Sequence, residues 1–316
     1  AERNRNYTNM ARIENHKYSI EEAFRECFYI VPDYQREYVW TDKEVHQLLE
    51  DIGEQIDAGT TREYFIGTVL VSPTDQKNHY EVIDGQQRLT TFFLLLCALK
   101  HLFQGEPQRQ TVSGLISTSY TDSDGETRTS LKLEPRYENA GEVITKLVEL
   151  DADPQVVRVG IQSSSIASFG SLENLVNAYG TLYRYLKDNY DSAAKLKKYW
   201  GYLANNVVFI QISTDVSSAL KIFETINERG VGLNPMDLLK NLLFTQVGQA
   251  QFTQLKDEWK KITKPLEKGK EKPLFDHFVM QLENFLFYYI FAKTPTRDLE
   301  RSFSQWANEL RAIADA

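Results

Sequence analysis

His79-Tyr80-Glu81-Val82-Ile83-Asp84-Gly85-Gln86-Gln87-Arg88-Leu89-Thr90-Thr91 is the stretch that decides the fold. A short β-branched and aromatic run stops at Asp84-Gly85, and a helical pattern begins at once. From Gln86 to Phe103 that pattern is apolar nearly all round, through Leu89, Phe92, Phe93, Leu95, Leu96, Leu99, Leu102 and Phe103. A helix with no polar face belongs inside a protein. Just upstream, Tyr64 to Val71 reads as a strand, Pro73 to Asn78 as a turn and His79 to Ile83 as the returning strand of a hairpin.

Further towards the N-terminus, Ser19-Ile20-Glu21-Glu22 and Thr41-Asp42-Lys43-Glu44 each have the form of a capping box. The first predicts a short helix ending near Tyr29, before Val31-Pro32 forces extended backbone. The second predicts a longer helix with the stripe Val45, Leu48, Leu49, Ile52 and Ile56, stopped at Gly59. Gln104 to about Gly170 is the least patterned stretch. It has short strand-like pieces around Asp124-Gly125 and one good helix from Gly141 to Leu150. Helices are predicted over Leu172 to Lys187 and Ala193 to Ala204, then a strand at Val207 to Ile212. Helices follow at Ser217 to Glu228, Met236 to Thr245, Phe252 to Ile262, Leu274 to Phe291 and Arg297 to Ile313.

Composition narrows the function classes. Of 316 residues, 42% are hydrophobic and 25% charged, the balance of a folded chain. The net charge of −8 excludes a broad cationic coat for DNA but leaves room for a local basic groove. Two isolated cysteines, Cys27 and Cys97, give neither a disulfide frame nor a zinc site. The five histidines lack metal-ligand spacing, so no protein-held metal cluster is expected. Ala1 to Asn9 is polar, and the apolar run Phe285 to Ala292 is too short for a bilayer, so the cytoplasm is the expected compartment and no membrane partner is expected.

Three clusters carry candidate chemistry. In the first, Gly85 lets backbone approach a ligand, and the unpaired N–H groups at the following helix start suit a phosphate. Arg88 supplies a fixed cationic fork. Gln86 and Gln87 would orient a water or read a base, and Asp84 would meet magnesium or accept a proton. The alternative is that Asp84 merely caps the helix and the glutamines are solvated. In the second cluster, Tyr34, Gln35, Arg36 and Trp40 combine stacking faces with a phosphate-binding arginine, or else belong to ordinary aromatic packing. In the third, Asn227, Arg229, Asp237 and Lys240 stand near a two-glycine turn, to face a ligand or to cap and pair.

These blocks, Pro32-x-Tyr34-Gln35-Arg36-x-Tyr38-x-Trp40, Phe65-Ile66-Gly67-Thr68, Ile83 to Thr91, Phe223 to Gly230 and Asp237 to Lys240, resemble in order the N-terminal half of GmrSD-type modification-dependent restriction enzymes. The resemblance implies an α+β chain: a ParB/sulfiredoxin-like nucleotide-binding domain over 1–105, a variable connector over 106–170 and a helical domain over 171–316. It implies a nucleoside triphosphatase, using GTP or ATP with magnesium, that senses modified double-stranded DNA. Asp84, Gln86, Gln87 and Arg88 would carry the nucleotide chemistry. Tyr34, Gln35, Arg36, Trp40, Gly85, Asn227, Arg229 and Lys240 would bind nucleotide or DNA. Sulfiredoxin chemistry is not expected, because neither cysteine matches its catalytic position. An HNH nuclease motif is not found up to Ala316, so the nuclease is expected on another domain or subunit; self-association stays open. A binding module without hydrolysis and a protein-interaction subunit are the competing readings.

Tyr34→Ala is expected to weaken recognition of modified DNA while the fold holds. A melting temperature lowered by more than about 10 °C would instead make Tyr34 a core residue.

Overall fold

The computed structural model describes residues 13–214, apart from 34, 36, 122, 123, 138 and 165–171. In chain order the elements are β1 (Glu14–Ser19), α1 (Ile20–Glu26), β2 (Phe28–Val31), α2 (Asp42–Asp57), β3 (Tyr64–Pro73), β4 (His79–Asp84), α3 (Gln86–Leu102) and α4 (Gln108–Ile116). They continue with β5 (Ser117–Thr121), β6 (Thr127–Leu131), β7 (Leu133–Pro135), α5 (Ala140–Leu150), α6 (Pro154–Gln162), α7 (Glu173–Asn189), α8 (Ala193–Asn206) and β8 (Val207–Ser213). The chain is α+β, as expected. The helices predicted beyond Thr214 lie outside the described residues.

Both capping boxes form. Ser19 and Glu22 exchange side-chain and backbone bonds at the start of α1, and Thr41 and Glu44 do the same for α2. The first helix is shorter than expected: Cys27 turns extended, and Phe28–Val31 becomes a strand. Its aromatic and β-branched side chains favour the pleat once parallel neighbours stand on both sides. The predicted hairpin is β3 and β4, paired antiparallel.

The main sheet has the order β1-β8-β3-β4-β2-β7, and β5 with β6 forms a separate two-stranded ribbon. Strands β4, β2 and β7 run parallel, so their carboxyl ends lie at one edge. Strand β7 comes from the segment expected as a connector, and β8 from the segment expected as a helical domain. Each expected segment therefore contributes to a single sheet. The strand β1, unanticipated from its polar sequence, pairs antiparallel with β8.

Helix α3 is the centre of the core. Thirteen of its residues, including both glutamines, are buried. It packs beside α4 and α7, while α2 lies against α7 and α8. Burying each Leu or Phe of α3 contributes about 1.5–3 kcal/mol, which outweighs the modest helix propensity of Phe92, Phe93 and the two threonines. Among the described residues, no helix is long and apolar enough to cross a membrane.

A polar staple closes the far end of α3. Asp151, at positive φ after α5, receives Arg109 Nη2 at 2.5 Å and Lys100 Nζ at 3.1 Å. Its carbonyl accepts His101 Nδ1 at 2.7 Å, which fixes that ring's tautomer. Burial alone would raise the Asp151 carboxyl, but hydrogen bonds and charge from Lys100 and Arg109 hold it below its ordinary value of 3.8. A carboxyl depressed in the folded state stabilises fully above its unfolded value and loses that contribution as pH falls through the folded one. Asp151→Asn should therefore cost roughly 1.5–3 kcal/mol at neutral pH. The gap in melting temperature from wild type should close as pH drops below 3.8. A gap independent of pH would assign the loss to packing.

Candidate functional site

The carboxyl ends of β4, β2 and β7 bring three connections together: Asp84 to Arg88, Asp33 to Trp40, and Arg136 to Tyr137. Such an edge is where ligands bind in many sheets containing parallel strands. The Arg136 N–H donates to Val31 O at 2.8 Å, tying the second and third connections. Glu81, on β4, feels Arg136 and Asp33 nearby; burial, its largest influence, raises its carboxyl above the usual range.

The turn is built on Gly85, the N-cap of α3, at φ 94°. A Cβ there would stand 3.0 Å from Val69 Cγ2 and 3.3 Å from Val69 Cα, so glycine is needed for both conformation and space. The cap is therefore not Asp84, and Gly85 supplies no side-chain hydrogen bond to the helix start. No acidic residue sits in the first turn either, so the positive end of the helix dipole has no carboxylate within it.

The two glutamines are buried, each 6% exposed, rather than solvated. Gln87 Oε1 accepts from the Val39 N–H at 2.9 Å and the Trp40 N–H at 3.4 Å. Its Nε2 donates to Glu37 O at 3.0 Å. Gln86 Nε2 donates to Gln35 Oε1 at 3.3 Å, and Gln35 Nε2 donates to Ile83 O at 3.1 Å and Val82 O at 3.3 Å. Thr91 donates its hydroxyl proton to Gln87 O at 2.8 Å, so in the 2.7 Å contact between Tyr38 and Thr91 the phenol is the donor. Asn174 Nδ2, from α7, donates to Tyr38 O at 3.2 Å. The loop and the turn expected to share a site are thus joined by side-chain amides.

Arg88 faces β3. Its Nη1 donates to Ile66 O at 2.5 Å and its Nη2 to Thr68 O at 2.8 Å. Asp84 Oδ2 lies 3.8 Å from Nη2. The two carbonyls flank Gly67, whose φ of 102° turns them towards the guanidinium, and a Cβ on Gly67 would lie 2.2 Å from Nη1. The pairing of β3 with β8 shifts register at this point, a bulge shaped around the arginine. Burial pulls the Arg88 guanidinium below its ordinary value and Asp84 opposes that; the group stays cationic at neutral pH. Two of its five N–H donors are used by carbonyls, and its side chain keeps 24% exposure.

Of the expected site residues, the structure brings together Gln35, Trp40, Asp84, Gly85, Gln86, Gln87 and Arg88. Tyr34, Arg36, Asn227, Arg229 and Lys240 lie outside the described residues. Sequence reasoning did not single out Gly67 as a site residue, although a glycine inside a strand signals a bulge or close approach. It also did not single out Thr91, and Asn174 carried no signal at all. Cys27 and Cys97 are buried, and desolvation raises both thiols, so neither is an activated nucleophile. Among the described residues, no group of three His, Cys, Asp or Glu side chains could hold a metal.

A cleft of about 720 Å³ lies between β6, β7 and α5, beside the third connection, whose Arg136 lines it. None of the expected site residues lines it, and its Glu134, Glu142 and Glu149 offset Arg136 and Lys146. That mixture gives a triphosphate no charge preference, so the small polar turn, not the large cleft, is the better candidate.

A protein-family model described as the N-terminal domain of the GmrSD restriction endonuclease matches residues 15–244. The chain belongs to this family. The match spans well over half of the chain and takes in all three connections at the sheet edge, as well as Asn227, Arg229 and Lys240. A search of curated proteins found no match. Membership places this GmrSD N-terminal domain in restriction of foreign DNA.

Gly67→Ala tests the Arg88 cradle in the GmrSD domain. The guanidinium is a mobile end and would be displaced, while the positive φ costs about 1–3 kcal/mol. Combining it with Arg88→Ala should give a loss smaller than the sum of the single losses, measured by denaturant melts. Strict additivity would mean that Gly67 and Arg88 do not act on each other.

Proposed function

We propose that this domain hydrolyses a nucleoside triphosphate, GTP or ATP, and couples that to sensing modified double-stranded DNA. It thereby controls a nuclease domain or subunit. The observation that carries the reading is the union of the Asp33 to Trp40 loop with the Asp84 to Arg88 turn, at the carboxyl ends of parallel strands, in a chain of the restriction family.

The roles follow from what each group faces. In this reading the α3 start at Gly85 and Gln86, buried in this conformation, meets phosphate oxygens through its backbone N–H groups. Arg88, beside that start and still partly exposed, neutralises charge that develops on them. Magnesium accompanying a nucleotide keeps its waters and phosphate oxygens and needs one or two carboxylates, so Asp84 alone fits it without a protein-built cage. Trp40, Tyr34 and Arg36 are assigned to the DNA-reading side, with Asn227, Arg229 and Lys240 completing the nucleotide or DNA contacts. A ParB/sulfiredoxin-like ancestry is part of the same proposal.

One observation favours a second reading. The Gln87 carboxamide bonds to the loop at both ends, which removes it as an orienter of attacking water in this conformation. A module that binds nucleotide or modified DNA without hydrolysis fits that arrangement.

Phosphate release separates the two. Wild type should release phosphate from GTP or ATP, faster or slower when modified duplex is added. Arg88→Ala should lower turnover by about 100-fold or more. Tight nucleotide binding with no release under any condition would leave only the non-hydrolysing module.

A further inference from the structure

The loop from Glu37 to Thr41 is held residue by residue. Glu37 O accepts from Gln87, Tyr38 O accepts from Asn174, and the Val39 and Trp40 N–H groups donate to Gln87. The Thr41 N–H donates to Glu44 Oε2 at 2.8 Å, inside the capping box of α2. Three of these bonds end on a single carboxamide. That carboxamide belongs to the second residue of α3, next to Arg88 and two residues from Gly85. Gln87 is 6% exposed, so water is poorly placed to replace a bond it loses. A shift of the first turn of α3 therefore moves the loop or breaks the contacts. Val39 is 44% exposed, so the loop that Gln87 holds offers an apolar side chain to the outside.

We propose that Gln87 is a positioning residue that transmits nucleotide occupancy at the Asp84 to Arg88 turn to the Tyr38–Trp40 loop, and thereby sets the loop that meets DNA. The inference rests on the nucleotide reading above and adds its route to the DNA side. Coupling of this kind is reciprocal: modified DNA on the loop must change nucleotide affinity by the same factor that nucleotide changes DNA affinity.

Amide hydrogen exchange of the full chain tests it, with the β,γ-imido analogues of GTP and ATP plus magnesium as probes. The analogues are used at concentrations that saturate each variant, checked by equilibrium dialysis. In wild type, nucleotide should change exchange in the 37–41 segment. In Gln87→Leu the same segment should exchange roughly tenfold faster without nucleotide and should not respond to it, while the centre of α3 is unaltered. Gln87→Glu keeps the acceptor for Val39 and Trp40. It should retain their protection, and it supplies the comparison with wild type if the leucine variant does not fold. Saturated wild type with an unchanged 37–41 segment would overturn the inference and leave nucleotide binding intact. Failure of both analogues to bind wild type would overturn the nucleotide reading and the coupling with it. Unchanged Val39 and Trp40 exchange in Gln87→Leu would show that the oxygen of Gln87 does not hold the loop.

Discussion

The carboxamide of Gln87 bonds to Val39, a residue 48 positions away in sequence, and with it to Trp40 and Glu37. The sheet edge, the start of α3 and the entry to α2 meet through this one group. Its neighbours fix where it sits. Gly85 makes the abrupt change from strand to helix, Thr91 bonds back to the Gln87 carbonyl, and the burial of α3 anchors the helix behind them. A buried amide that satisfies three backbone partners costs little, whereas removing it leaves polar groups with no substitute.

Arg88 shows a related economy. A cation held between two carbonyls and near a carboxylate is pre-organised, and its remaining donors keep a fixed direction. The strand pays for this with a bulge that only glycine at position 67 accommodates. Phosphate chemistry benefits from charges that need no rearrangement on binding. The same geometry also explains why the Phe65 to Thr68 block and the Asp84 to Arg88 block occur together in the sequence: the first is the receptor for the second.

Local features were legible where a short-range rule decides them. The capping boxes at Ser19 and Thr41, the hairpin of β3 and β4, and the all-apolar α3 follow from spacing alone. So does the ribbon of β5 and β6 around Gly125. What sequence did not reveal depends on partners. The first strand reads Glu-Asn-His-Lys-Tyr-Ser and is exposed over most of its length, so its pairing with β8 leaves no apolar alternation. The three-residue β7 has a glutamate at its centre, and only its parallel neighbour β2 makes it a strand. Helix α6 is valine-rich with an internal glycine, which hid it. Yet Asp153-Pro154 was a usable start signal, with Asp153 accepting from two backbone N–H groups. Parallel pairing joins segments separated by long crossovers, and for that reason the sheet runs through boundaries placed at 105 and 170. At the site, the nearness of the two motifs was legible, but not that they meet by direct contact of buried amides instead of across a cavity, with Arg88 turned to the β3 carbonyls. The inward engagement of the glutamines was not legible, because a polar residue in a first helical turn looks the same whether it meets water or a loop.

A crystal structure of the chain with a β,γ-imido nucleoside triphosphate and magnesium would locate the phosphates. Phosphate oxygens are expected on the backbone N–H groups at Gly85 and Gln86, with the Arg88 guanidinium beside them and the 37–40 loop in altered contact with Gln87. Nucleotide bound in the cleft between β6, β7 and α5, with the Asp84 to Arg88 turn unengaged, would contradict that expectation.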